Sequence, residues 1–157
     1  MPTSDCFNGS GSPAAFEVEG EDRCAALIEF APVSDQMRRG YADPIALTER
    51  GAVGVALGYL RERHGQLVVE RARIRSGFDY YMGVQTLADG PPFRKTARAE
   101  ITGIADESDR DRLEERRRIK HLQVARPGAS RLPAWIVYVR FSRKSIFLDA
   151  IPAMEAA

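Results

Sequence analysis

The chain has 157 residues, enough for one domain with its own core, and 44% are apolar against 29% charged, a globular balance. A net charge of +1 excludes a global pull towards nucleic acid, so any such binding has to come from a local patch. No apolar run approaches the roughly 18 residues of a membrane span. The N-terminus has neither the basic nor the apolar region of a secretory signal, so the expected location is cytoplasmic. Cys6 and Cys24 cannot make a zinc site alone, and they read as reduced thiols rather than a disulfide.

Residues 1–22, rich in Gly, Ser, Pro and acids, read as a disordered or loosely docked tail. A single domain is then expected over residues 23–152, with a short C-terminal tail at 153–157. Ala25–Phe30 predicts an edge strand stopped by Pro32. Asp43-Pro44 opens a helix, with Asp as N-cap and Pro at the first position, where its missing N–H costs nothing. That helix should run from Pro44 to about Arg63 and end at Gly65. Ile45, Ala52, Val53, Ala56, Leu57 and Leu60 form its apolar stripe. Gly51, Gly54 and Gly58 each cost up to about 1 kcal/mol relative to Ala, which predicts a helix lying very close against a sheet.

Gln66–Arg75 alternates as a strand, with Leu67, Val69, Arg71, Arg73 and Arg75 on one face and Val68, Glu70, Ala72 and Ile74 on the other. Ser76-Gly77 is a turn signal and Phe78–Gln85 a second strand, so the pair reads as a hairpin. After a loop at Ala88–Pro92, Arg94–Ile104 is a third strand, with Arg98, Glu100 and Thr102 opposite Ala97, Ala99 and Ile101. A second helix spans Asp106 to Ala125, capped by Asp106 or Ser108. Its acids come early and Arg116, Arg117, Arg118 and Lys120 late, in keeping with the helix dipole. Only Leu113, Ile119, Leu122 and Ala125 are available for burial. Leu132–Phe141 is apolar enough for a strand buried on both faces, and Ser145–Ile151 is a last strand. The expected fold is α/β, with a mixed central sheet flanked by helices.

The order helix, strand, strand, strand, helix, strand is αβββαβ. With an acid in Ser76-Gly77-Phe78-Asp79 and another in Ala99-Glu100-Ile101-Thr102, it resembles the restriction-endonuclease-like PD-(D/E)XK nuclease superfamily over about residues 43–141. The resemblance implies a Mg²⁺-dependent nuclease acting on DNA, in which Asp79 and Glu100 are metal ligands and Glu49, on the first helix, a third acid. Hard oxygen ligands suit Mg²⁺, which keeps several waters and needs few carboxylates. The family's lysine, two residues after the Glu, falls here on Thr102, which cannot supply its charge. Lys95, Arg98 and Lys120 are the cations available to replace it, and Lys95 is taken as the catalytic one. Arg71, Arg73 and Arg75 are the candidate phosphate-binding row. A homodimer or larger complex is expected, because a domain of this size needs help to hold a duplex.

Each candidate also has a plainer reading. Asp79 can close a turn by accepting backbone N–H bonds, and Glu100 can pair with Arg71 or Arg73 of the neighbouring strand. Glu49 reads more often as a solvated helix residue beside Arg50, and Glu70, a further acid for the site, more often as the partner of a strand arginine. Arg116–Arg118 can pair with Glu114 and Glu115 at helical spacing. Phe78, Tyr80 and Tyr81 can stack on bases, but aromatic strands more often pack a core. His64 suits a helix C-terminus, and neither it nor His121 accompanies a nucleophile. No phosphate loop, dinucleotide fingerprint or Ser/His/Asp pattern is present. The alternative to an enzyme is a non-catalytic interaction or accessory subunit that retains the nuclease-like fold.

Overall fold

In the computed structural model, residues 13–29, 34–40, 43–84, 94–105, 111–126 and 130–155 are described. The strands are β1 (Ala14–Gly20), β2 (Cys24–Ile28), β3 (Gln66–Arg71), β4 (Tyr80–Val84), β5 (Ala97–Ile104), β6 (Ala134–Arg140) and β7 (Ser145–Ile151). The helices are α1 (Asp35–Gly40), α2 (Pro44–His64) and α3 (Asp111–Val124). The strands form one seven-stranded open sheet in the order β2-β1-β7-β6-β5-β4-β3. It is mixed: β1 with β7 and β5 with β6 are parallel, and the other pairs are antiparallel. From α2 to β6 the elements run helix, strand, strand, strand, helix, strand. No helix among the described residues is long and apolar enough to cross a membrane.

α2 has the caps its sequence predicts. Asp43 accepts from Ile45 N at 3.0 Å, and Gly65 is left-handed at φ 63°, its N–H turned back to Arg61 O. Thr48, Ala52, Val55, Ala56, Tyr59 and Leu60 are the buried face, whereas Ile45 is 72% exposed and does not belong to it. That face covers Phe16, Val18, Met82, Ala97, Ala99, Val137, Val139, Ile146 and Leu148. On the other face of the sheet, Leu113 and Val124 of α3 meet Ile104, Ile136 and Tyr138.

The glycine expectation needs correcting. Added methyls on Gly54 or Gly58 would meet nothing within 4 Å, so those glycines face open space. The close approach is made instead by a strand glycine. A Cβ on Gly103 of β5 would lie 2.7 Å from Thr48 O and 3.0 Å from the Ala52 Cβ. At this contact it is the sheet that gives up a side chain to let α2 settle.

Two further expectations are corrected. Residues 14–20, read as part of a loose tail, form β1 inside the sheet, with Phe16 and Val18 buried. Their alternation with Glu17 and Glu19 is that of a half-buried strand, and the parallel partner β7 comes from the far end of the chain. Residues 1–12 lie outside the described residues. The turn behind β1 is latched to the end of α2: Tyr59 Oη donates to Asp22 Oδ2 at 2.5 Å and His64 Nε2 lies 2.6 Å from the same oxygen. Burial works to raise the Asp22 pKa, but these bonds outweigh it and hold the carboxyl below its ordinary range.

The strand expected over Gln66–Arg75 ends at Arg71, after a bulge between Val68 and Glu70. Ala72 N donates to Asp79 O and Ser76 N to Arg73 O, so the chain is already turning, with Arg75 at φ 71°. Arg73 and Arg75 are therefore not on a strand face with Arg71.

These contacts predict opposite effects for two Gly→Ala changes. Gly103→Ala should lose roughly 1–3 kcal/mol through overpacking against Thr48 and Ala52. Gly54→Ala should gain roughly 0.5–1 kcal/mol through helix propensity and unfolded-state entropy. Denaturant unfolding of both variants measures this, and equal effects would mean that α2 does not sit on Gly103.

Candidate functional site

β4 and β5 pair only over Tyr80–Met82 and Ala97–Ala99. Beyond that the strands separate, and the N–H groups of β5 lose their ladder partners. Asp79 fills the gap. Its backbone N donates to Ala99 O at 2.9 Å, and its carboxylate Oδ2 accepts from Ile101 N at 2.8 Å. The residue thus replaces one rung of the sheet with its side chain, which fixes the carboxylate at the mouth of the split. Its partner is a strand N–H rather than a group of its own turn. The turn before it is held by Ser76 Oγ, which donates to Phe78 O at 3.1 Å.

A cleft of about 760 Å³ opens at this split. Asp79, Tyr80, Glu100, Thr102 and Gly103 line it from the strands, Glu49, Arg50 and Val53 from α2, and Arg116, Ile119 and Lys120 from α3, with Arg71 also on its wall. Glu100 is only 4% exposed and lines the cleft together with Asp79. Its carboxylate Oε1 accepts from the Lys120 ammonium. Burial pushes the Glu100 carboxyl up, the Lys120 bond pulls it back, and the Asp79 charge pushes it up again, leaving it at about 7. Glu100 is therefore a buried carboxyl poised near neutrality, where carboxyl groups seldom titrate.

The structure distributes the remaining candidates unevenly. Glu49 lines the same cleft on an exposed turn of α2, but it does not join the other two. Among the described residues no three His, Cys, Asp or Glu side chains gather as a metal-holding group. Lys95 lies outside the cleft: its ammonium is 2.9 Å from Glu70 and 4.1 Å from the Tyr81 ring centre. Arg98 is buried and spends its guanidinium on Leu132 O and Val124 O, both at 3.0 Å. Of the three cations weighed for the missing lysine, Lys120 is the one that lines the cleft. Arg71 lines it too, whereas Arg73 and Arg75 sit exposed on the 72–79 connection. Glu100 pairs with Lys120 of the helix and not with Arg71 or Arg73 of a strand.

Two facing carboxylates suit a hard dication that keeps most of its waters. With Asp79 Oδ2 committed to Ile101 and Glu100 Oε1 to Lys120, Oδ1 and Oε2 are the donors left. The residues fit Mg²⁺ held by two protein oxygens and water. The basic run of α3 is mostly spoken for: Arg117 pairs with Glu114 at 3.1 Å and Arg118 with Glu115 at 3.8 Å, both at i,i+3. Arg117 and His121 also bind Asp149 of β7, a contact the sequence reading missed. A lone acid in the apolar run Ser145–Ile151 was the available signal.

The Glu100 carboxyl carries a linkage prediction. Its folded pKa of about 7 lies above the ordinary 4.5, so the folded state holds more protons between those values and stability falls as pH rises through that window. Glu100→Gln keeps an acceptor for Lys120 but has no charge to bury. It should be more stable than the wild type at pH 8 by the order of 1 kcal/mol, or roughly 2–4 °C in Tm, with the gain vanishing near pH 4.5. Melting curves across that range decide it, and a variant less stable at pH 8 would mean that Glu100 is comfortably ionised. Comparison with protein-family models, with curated proteins and with solved structures finds no match, so the chemistry of the cleft is read from its own residues.

Proposed function

We propose that this chain is a Mg²⁺-dependent phosphodiesterase of the restriction-endonuclease-like type acting on DNA, with Asp79 and Glu100 as metal ligands and Lys120 in the role of the absent motif lysine. The observation that carries the reading is the meeting of Asp79, Glu100 and Lys120 in one cleft at the split between β4 and β5. The αβββαβ order around that split supports it. When bound, the metal supplies a hydroxide nucleophile at neutral pH and neutralises phosphate charge. The chain's own residues do the rest. Asp79, held by the Ile101 N–H, presents its second oxygen without having to be ordered first. To serve as a ligand Glu100 would have to release its proton to solvent, so metal binding and deprotonation would be linked.

Lys120 keeps a positive charge beside Glu100, where negative charge develops on a phosphate in flight. A helix-borne lysine can reach the point that Thr102, at the usual position, cannot serve. Arg71 and Arg116 on the cleft wall can take flanking phosphates, which need cations and no base reading. Glu49 is the residue left to orient water from the α2 side.

A second reading has its own observation. Lys120 already occupies one oxygen of Glu100, and no third ligand group joins the pair among the described residues. A buried acid with its own cation is also what a non-catalytic accessory subunit would retain for stability.

Calorimetric titration with Mn²⁺ or Mg²⁺ at pH 8 separates the two. Saturable binding is expected in the wild type, lost in Asp79→Ala and Glu100→Ala that remain folded, and about tenfold weaker for each pH unit below 7. DNA nicking that falls at least 100-fold in Lys120→Met, with metal binding retained, would complete the case. No binding at millimolar metal would overturn the enzyme reading in favour of the accessory one.

A further inference from the structure

α3 is attached to the sheet in an unusual way. Leu113 and Val124 are buried near its ends, but Ile119 is 47% and Leu122 62% exposed, so its middle has little apolar grip. Two rows of cations hold it instead, each made of residues four apart and hence on one helix face. Arg116 and Lys120 reach β5, where Arg116 Nη1 donates to Gly103 O at 3.3 Å and Lys120 donates to Glu100. Arg117 and His121 reach β7. Arg117 Nε and Nη2 donate to Asp149 Oδ2 and Oδ1, both at 2.9 Å, and His121 Nε2 lies 3.0 Å from Oδ2.

The strand register explains the symmetry. Glu100 is the Cα partner of Ile136, and Ile136 is the partner of Asp149, so the three stand in one row across β5, β6 and β7. At two strand spacings the acids are about 10 Å apart, and α3 straddles β6 between them.

The two grips differ in what they can fix. An ammonium on a four-carbon stem is a point charge that tolerates many helix orientations. A guanidinium on both oxygens of a carboxylate is directional and resists rotation. Arg117 is restrained further by the Phe147 ring, 4.5 Å away, and by Glu114. A roll of α3 by roughly 20° moves a side-chain head near its surface by about 2 Å, enough to break a hydrogen bond. We infer that Asp149, gripping Arg117 and His121, is a positioning residue that sets the roll of α3 and thereby holds Lys120 on Glu100. The Asp149 carboxyl is suited to this. Burial would raise its pKa, but Arg117 and His121 outweigh burial and keep it ionised well into acid.

Where Lys120 sits does not depend on the phosphodiesterase reading; only the consequence for catalysis rests on it. The chain has three lysines, Lys95, Lys120 and Lys144, so competitive trace acetylation of the native protein reads Lys120 against two internal references by mass spectrometry. Lys120 should react slowly in the wild type and at least fivefold faster, relative to Lys95, in Glu100→Ala, which removes the acceptor, and in Asp149→Asn. Asp149→Glu, which restores the carboxylate, should recover much of the protection. Lys95, already 40% exposed, corrects for reagent only; general loosening would instead raise amide exchange in α2, on the opposite face of the sheet, which should stay at the wild-type rate. A folded Asp149→Asn in which Lys120 stays protected would overturn the inference, as would a wild type with no protection. Should Asp149→Asn fail to fold, the double variant Arg117→Gln/His121→Gln carries the same expectation and the same refutation. Metal binding by the wild type is measured separately: a protected Lys120 in Asp149→Asn ends this inference and leaves the phosphodiesterase reading standing, an unprotected Lys120 in the wild type also removes the lysine role from that reading, and absent metal binding leaves this inference untouched.

Discussion

The bond from the Ile101 N–H to the Asp79 carboxylate is the contact on which the site depends. Two antiparallel strands that part company leave unpaired N–H groups, and a buried one left unmade costs about 1–3 kcal/mol. Asp79 answers that need with a side chain and lets β4 turn away from β5 without an orphaned donor. The parting makes the cleft, and the residue that permits it is one of the two acids in the cleft. The structural role falls to Oδ2, and Oδ1 is the oxygen that the proposed metal chemistry would use.

The second acid is governed by burial. Glu100 follows Ala99 on β5 and faces the α3 side, where Arg98, Thr102 and Ile104 also point. A nearly enclosed carboxyl beside another carboxyl cannot ionise freely, and Lys120 offsets only part of the cost. Such a group is an inefficient way to stabilise a fold. That burial is why the proposal rests on the Asp79–Glu100–Lys120 set rather than on the more exposed ion pairs elsewhere on the chain.

α3 shows how few apolar contacts an element needs when charges are arranged in register. Its sequence is rich in arginine and poor in core residues, and a purely hydrophobic reading leaves it half detached. The row Glu100–Ile136–Asp149 supplies anchor points on both sides of β6, matched to cations at helical spacing. The same row ties the cleft to β7 and, through β7, to β1. Strand β1 is therefore part of the platform under the site rather than an appendage to it.

Local chemistry determined much of this by itself. The Asp43 and Gly65 caps, the alternation of β5, the apolar run of β6 and the last strand are all short-range signals, and a residue's neighbours suffice to read them. The acids at 79 and 100 stood out because each falls in a strand of mostly apolar and aromatic residues, and the structure places both on one cleft. What the sequence could not decide were contacts between segments far apart. Whether Lys95, Arg98 or Lys120 meets Glu100 depends on how α3 rolls over β5, and that roll depends on Asp149, almost fifty residues from Glu100. That β1 has a place in the sheet depends on β7, more than a hundred residues away. Gly103 against Thr48 belongs to the same class. Periodicity states which side of an element is buried; only tertiary packing states against what, because the partner is chosen by the register of the whole sheet.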